Sequence, residues 1–215
     1  MATVRAPFPL PRSARLAVFA SGRGSNLASL LAAFPPYEAP QTGRVQAYIV
    51  TVISNNPDAQ ALERARQAGV TTHAIPWAKG VGSREAFERQ AEHHLAAAQA
   101  DLICLAGFMR ILSPAFTERW AGRIVNIHPS LLPRHPGLHA QRQALEAGDA
   151  ESGCTVHLVD AGVDTGAILL QRRVAVLPGD NEETLAARIL DEEHIAYPEA
   201  VRQLLAGMIP EVHSS

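Results

Sequence analysis

The sequence predicts an α/β fold: a mainly parallel twisted sheet with helices on both faces, its last strands antiparallel. Three observations carry this. Short apolar runs alternate with helical patterns through the first half, the signature of strand–helix–strand units. The runs at 15–20 and 101–106 are apolar almost throughout, as strands covered on both faces are. The last two strand patterns, 155–159 and 167–176, alternate in character and are joined by a glycine-bearing loop, which suits an antiparallel pair.

Taken in order, the first run ends in Ser21-Gly22-Arg23-Gly24-Ser25-Asn26 and a helical pattern follows from 27 to 34. Strand, glycine turn and helix together aim backbone N–H groups and a positive dipole end at an anion. The turn lacks the third glycine of the dinucleotide fingerprint and the Gly-Lys-Ser/Thr of the P-loop, so a single phosphate is the cargo it suits. A tight turn that simply needs glycines is the competing explanation. A proline-rich connection spans 35–43, a second strand 45–52, a short helix 58–68 closed by Gly69, and a third strand 71–75. Ser83 caps a longer helix in which Phe87, Ala91, Leu95 and Ala98 recur at helical spacing. Its neighbours His93 and His94 cannot share a helix face and read as surface or flank residues. Ser113-Pro114 begins a short helix that ends before Gly122.

The next strand, 123–127, runs into Asn126-Ile127-His128-Pro129-Ser130-Leu131-Leu132-Pro133. Side chains alternate along a strand, so Asn126 and His128 point the same way. The prolines then stop regular structure at once. A carboxamide donor beside a group that titrates near neutrality suits a reaction at a carbonyl carbon, the amide steadying an oxyanion while the imidazole moves protons. In such sheets ligands lie beyond the carboxyl ends of the strands. The glycine turn, Met109 to Leu112 and the Asn126/His128 pair all fall there. Further on, the loop 160–166 resembles a calcium loop only in composition. Its sixth position is Thr165 and its twelfth Gln171, where glycine and glutamate are needed. Asp164 is expected as a carboxylate on a flexible loop. Asp180 with Glu183 predicts a capping box for the last helix, which Pro198 should kink or restart. Glu193 falls on that helix's apolar stripe and requires a partner, an arginine or an amine.

Composition sets limits. The 215 residues fill one large domain or two small ones, and 19 basic against 21 acidic residues give a net charge of −2, with no pull toward nucleic acid. Only Cys104 and Cys154 occur, so no disulfide framework is expected and a reducing cytoplasm is the simpler setting. No apolar run approaches a membrane span. Residues 1–14 are expected as a disordered lead-in, 15–209 as a single domain and 210–215 as a tail.

Three motifs together carry a resemblance: Ser21-Gly22-x-Gly24-Ser25-Asn26, Leu105-Ala106-Gly107-Phe108-Met109-Arg110-Ile111-Leu112, and Asn126-x-His128-Pro129-Ser130-Leu131-Leu132-Pro133. They resemble the phosphoribosylglycinamide formyltransferases of the folate-dependent formyltransferase superfamily. Pro136-Gly137-Leu138-His139, Val156-His157 and the loop 160–166 fit in the same order, so the likeness spans about residues 15 to 205. It implies a formyltransferase-like fold and transfer of a formyl group from 10-formyltetrahydrofolate to the amine of glycinamide ribonucleotide in purine synthesis. It further implies that Gly24, Ser25 and Asn26 hold the substrate phosphate and that Glu193, with Leu190 nearby, meets the glycinamide end. Arg84, Met109, Arg110, Ile111 and Leu112 would line the folate site with Asn126, Asp160, Ala161, Gly162, Val163 and Asp164. Asn126, His128 and Asp164 match the catalytic trio, with Asp164 expected to raise the His128 pKa. No metal, nucleic acid or membrane is implied, and monomer and homodimer both stay open. Arg23 between the glycines, Leu190 where a polar residue is usual, and the 34–43 connection depart from the pattern.

Other readings differ in what they require. A methionyl-tRNA formyltransferase would carry a further C-terminal basic domain, and a formyltetrahydrofolate hydrolase an N-terminal regulatory one. A phosphate- or folate-binding module would leave Asn126, His128 and Asp164 without a task. A metal hydrolase built on His128, His135, His139 and Asp164 would need ligand spacing that the intervening prolines do not give.

Overall fold

A computed structural model describes residues 13–36 and 46–207. The expected lead-in (up to residue 12), most of the proline-rich connection and the tail lie outside the described residues. In chain order the elements are β1 (Ser13–Ala20), α1 (Ser25–Ala33), β2 (Gln46–Ser54), α2 (Gln60–Gln67), β3 (Thr71–Ala74), α3 (Arg84–Ala97), β4 (Leu102–Leu105), α4 (Pro114–Arg119), β5 (Ile124–His128), α5 (Ala140–Glu146), β6 (Glu151–Leu158), β7 (Ile168–Ala175) and α6 (Glu182–Leu205). The strands form one seven-stranded sheet in the order β3-β2-β1-β4-β5-β6-β7. The pairs among β1 to β5 are parallel, and β5–β6 and β6–β7 are antiparallel, as the sequence predicts.

Strand alternation sorts the core into two layers. Leu16, Val18 and Ala20 join Leu27, Leu30, Ile189 and Tyr197 on the face covered by α1, α2 and α6. Ala17 and Phe19 face the other way, onto Phe87, Ala91 and Leu95 of α3 and Phe116 of α4. Phe19 is the hub of that layer, edge-on to Phe87 at 5.7 Å and to Phe108 at 5.4 Å. The sheet order reverses between β1 and β4, and there the Ser21 N–H donates to the Gly107 carbonyl at 3.1 Å. This is the crevice in which a doubly wound sheet receives its ligand.

Some local expectations are corrected. The cap of α6 is Asn181 with Thr184, not Asp180 with Glu183: the Asn181 side chain accepts from the Thr184 N–H and the Thr184 hydroxyl accepts from the Asn181 N–H. Asp180 instead bonds the Leu177 N–H and both terminal nitrogens of Arg188, which takes it out of the cap. Pro198 does not restart α6, which runs unbroken to Leu205 with Pro198 buried inside it. β6 begins at Glu151, earlier than its alternation indicates, because Ser152, Gly153 and Cys154 are buried like the rest of the strand. His93 is exposed as expected, but His94 turns inward enough to stack on His73 at 3.5 Å.

Candidate active site

The glycine turn is shaped by one close approach. Gly24 caps α1 at φ 73°, and a Cβ there would lie 2.8 Å from both Cα and Cβ of Ala61 in α2. Only glycine fits that corner on both counts. No side chain caps α1, so the N–H groups of its first turn are left for a ligand. Asn26 points inward rather than toward that ligand face: its Nδ2 donates to Glu193 Oε2 at 2.6 Å. The Glu193 partner is thus an amide, not an arginine. Burial raises the Glu193 carboxyl above its ordinary value, and the Asn26 hydrogen bond offsets only part of this. The Asn26 Oδ1 is buried without a hydrogen-bond partner, so this corner keeps one acceptor unused beside the satisfied Asn26–Glu193 contact. One turn further along α6, Tyr197 reaches the carbonyls of Leu105 at 3.0 Å and Val125 at 2.9 Å, tying this corner to the ends of β4 and β5.

Beside it, β5 delivers Asn126 and His128. The antiparallel register sets Asn126 opposite His157 of β6, and Asn126 Nδ2 lies 3.1 Å from His157 Nε2. His157 Nδ1 donates to the Leu158 carbonyl at 2.9 Å, which leaves Nε2 as the acceptor when the ring is neutral. Asp164 closes the group, its carboxylate 3.3 Å from His128 Nδ1 and 3.5 Å from His157 Nε2. Asp164 adopts a left-handed conformation (φ 55°) and accepts from the Gly137 N–H at 2.8 Å. Gly166 secures the loop's return, since any Cβ there would strike the Leu158 carbonyl oxygen at 1.8 Å. The expected trio therefore meets as a chain of four: Asn126, His157, Asp164, His128. His157 was not singled out as a site residue because its role depends on a strand register that no local pattern encodes.

The expected upward pull of Asp164 on His128 is present, but burial outweighs it. Burial holds the His128 imidazole below its ordinary value, outweighing the upward pull of the His135 carbonyl and of Asp164, with His157 adding to the depression. For Asp164 burial acts upward, but the neighbouring His157 ring, the Gly137 N–H and His128 win, and the carboxyl stays below the usual range. Asp164 does pull His128 toward the charged form, but desolvation is the larger effect. His128 Nε2 is also engaged, 2.8 Å from the His135 carbonyl. Of the pair on β5, Asn126 is the one with an uncommitted donor.

The segment after β4 alternates: Met109 and Ile111 are 65% and 64% exposed, while Phe108 and Leu112 are buried in the aromatic layer. Met109 N–H donates to the Ser21 hydroxyl at 2.8 Å, and that hydroxyl bonds Asn55 Oδ1 at 2.5 Å, so the ends of β1, β2 and β4 are pinned together. Arg110 donates to the Trp77 carbonyl at 3.0 Å and lies over the Trp77 ring. A cleft of about 620 Å³ lies here, lined by Ser21, Asn55, Trp77, Val81, Met109 and Arg110 among others. It flanks the Asn126–His157–Asp164–His128 group without including it. Arg84 begins α3 beyond Val81, half-exposed. Asp160 is tied to the Gly162 N–H and the Thr165 hydroxyl, leaving Ala161 and Val163 exposed. Leu190 is only half-buried, and no polar contact brings it to the site.

Among the described residues no helix is long and apolar enough to cross a membrane, and no cluster of three or more His, Cys, Asp or Glu could hold a metal. The family model described as formyl transferase matches residues 14–201. A phosphoribosylglycinamide formyltransferase from Escherichia coli is 45% identical over 90% of this chain and 88% of its own length. The trifunctional purine biosynthetic protein adenosine-3 of Drosophila melanogaster is 51% identical, but the chain spans only 15% of that protein's length. Among solved structures, glycinamide ribonucleotide transformylase 1 from Symbiobacterium toebii superimposes with a TM-score of 0.83 at 44% identity, over 94% of this chain and 92% of that one. The enzyme of the same family from Brucella melitensis gives 0.80 at 45% identity, over 93% and 100%. The chain belongs to the formyl transferase family, among the phosphoribosylglycinamide formyltransferases.

Proposed function

We propose that the protein transfers the formyl group of 10-formyltetrahydrofolate to the amine of glycinamide ribonucleotide, with Asn126, His128 and Asp164 as the catalytic group. The observation that carries this is the continuous polar chain Asn126–His157–Asp164–His128 at the carboxyl ends of the strands. The uncapped start of α1 gives the substrate phosphate its donors. The buried acceptors of Asn26 and Glu193 suit the hydroxyls or amine of the same molecule. Met109, Ile111 and the 160–164 loop offer apolar and backbone surface to a folate, with the Trp77–Arg110 cleft alongside for its extended part. The folate supplies an activated formyl group.

Each residue then has one task. Asn126 donates an amide hydrogen to the formyl oxygen as negative charge builds there. His128, neutral at pH 7 because burial holds its pKa down, accepts the proton that the attacking amine loses. It returns a proton to the departing folate nitrogen, so the new C–N bond replaces the old one with no net proton change. Asp164, ionised throughout, steadies the imidazolium between those two events. His157 accepts from Asn126 through Nε2 and so orients the amide, with Asp164 close by at 3.5 Å.

The test is formyl transfer from 10-formyltetrahydrofolate with and without glycinamide ribonucleotide, for wild type, Asn126→Ala and His128→Ala. Transfer that requires the ribonucleotide and drops about 10²–10³-fold in either variant is the expected result. Formate release without the amine would make the protein a hydrolase. Folate binding with neither reaction would leave a binding module.

A further inference from the structure

The loop after His128 has scaffolding of its own. The Ser130 hydroxyl donates to the Arg134 carbonyl at 2.6 Å, and the Ser130 carbonyl accepts from the Thr155 hydroxyl at 2.6 Å. His135 stands in the left-handed region at φ 54°, a conformation a residue with a Cβ adopts only when something holds it there. What holds it is Asp149: a ring N–H of His135 reaches Asp149 Oδ2 at 2.7 Å, with side chains only 16% and 17% exposed. Asp149 is in turn fixed behind α5 by its own N–H, which donates to the Ala144 carbonyl at 3.1 Å. Arg134 also approaches Asp149, at 3.3 Å, but is 46% exposed and adds little.

The consequence lies at the other end of residue 135. Its carbonyl is 2.8 Å from His128 Nε2, and a carbonyl can only accept, so Nε2 is the nitrogen that keeps its hydrogen. Nδ1, facing Asp164, is then the nitrogen that gains and loses a proton. Gly137, two residues on, holds the same Asp164 carboxylate. One loop thus carries the partner of Nε2 and steadies the partner of Nδ1.

We infer that the His135–Asp149 pair is a positioning device for His128, holding the His135 carbonyl where it fixes the imidazole tautomer and reserves Nδ1 for proton transfer. His135 touches no substrate and acts only through His128. The inference rests on the reading of His128 as the proton-transferring group. A pair that merely staples the loop would affect melting but leave the tautomer as it was.

The experiment uses His135→Gly, which accepts the left-handed backbone but loses the anchor, and Asp149→Ala, which leaves residue 135 intact. Two-bond ¹⁵N–¹H spectra of the free protein report the His128 tautomer, His128→Ala assigns its signals, and steady-state kinetics report turnover. In both variants Nε2 protonation gives way to a mixture of tautomers. Their kcat falls about tenfold, a part of the roughly 10²–10⁴-fold that a positioned proton-transfer group supplies. KM for both substrates moves by less than about twofold, because no binding contact is removed. Asp149→Asn, which keeps an acceptor for His135, restores most of the turnover. An unchanged tautomer in a folded variant overturns the inference whatever the kinetics. A mixed tautomer with unimpaired turnover upholds the device and instead sinks the assignment of His128 to proton transfer.

Discussion

His128 is the residue at which burial and charge pull in opposite directions. An imidazole next to a carboxylate ordinarily titrates high, yet this one is buried enough that its pKa falls below 6.5. A histidine with a depressed folded-state pKa contributes stability that is present above the unfolded value and lost as pH falls through the folded one. Activity should follow the same sign if the neutral ring accepts the amine proton. We expect kcat/KM to stay level through neutrality and to fall on the acid side with an apparent pKa below 6.5. Asp164→Asn removes an upward pull and should move the His128 titration, followed by NMR, further toward acid. A midpoint above 6.5 in the wild type would count against the neutral-base assignment.

At the scale of elements, α6 does more than cover the sheet. Its cap at Asn181, the Tyr197 hydroxyl on two strand carbonyls and the buried Pro198 fix the register of a 24-residue helix against β4 and β5. That register sets Glu193 against Asn26. An ionised carboxylate so placed costs stability in the free protein. Since its folded pKa is raised above 4.5, its favourable contribution is full below that value and is lost as pH rises through the folded one. Glu193→Gln should therefore melt higher than wild type at pH 7, with the gap closing below about pH 4.5, while KM for the ribonucleotide rises. Equal melting temperatures at pH 7 would show that the carboxylate bears no such cost.

For the molecule as a whole, the strand–helix alternation was legible because each element carries its own periodicity. The layer split follows directly from Leu16 and Val18 facing one way and Ala17 and Phe19 the other. The Asn126/His128 pair was legible for the same reason, being two steps along one strand. What local pattern could not supply were contacts between distant segments. His157 enters the site only because β6 pairs with β5 in one register. The carbonyl on His128 comes from a loop whose conformation depends on Asp149. The α6 cap was misplaced by one residue because Asp180 and Asn181 are both good cap formers, and only the Arg188 contact, a turn and more away, decides between them.

The contact between Gly24 and Ala61 reaches past the turn it shapes. Ala61 is fully buried, carries no functional group, and lies on a different helix, where its N–H donates to the Gly22 carbonyl at 3.1 Å. Yet the space it leaves empty is the space the turn occupies. Position 61 is thus chemically silent but sterically accountable to the glycine turn, the proposed phosphate site. In a library randomised there, selection for growth without added purines should keep alanine and glycine and discard branched residues. Ala61→Val, overfilling the corner by about 1–3 kcal/mol, should raise KM for the ribonucleotide while KM for the folate holds. Inheritance at this position would then follow a ligand that its side chain never meets.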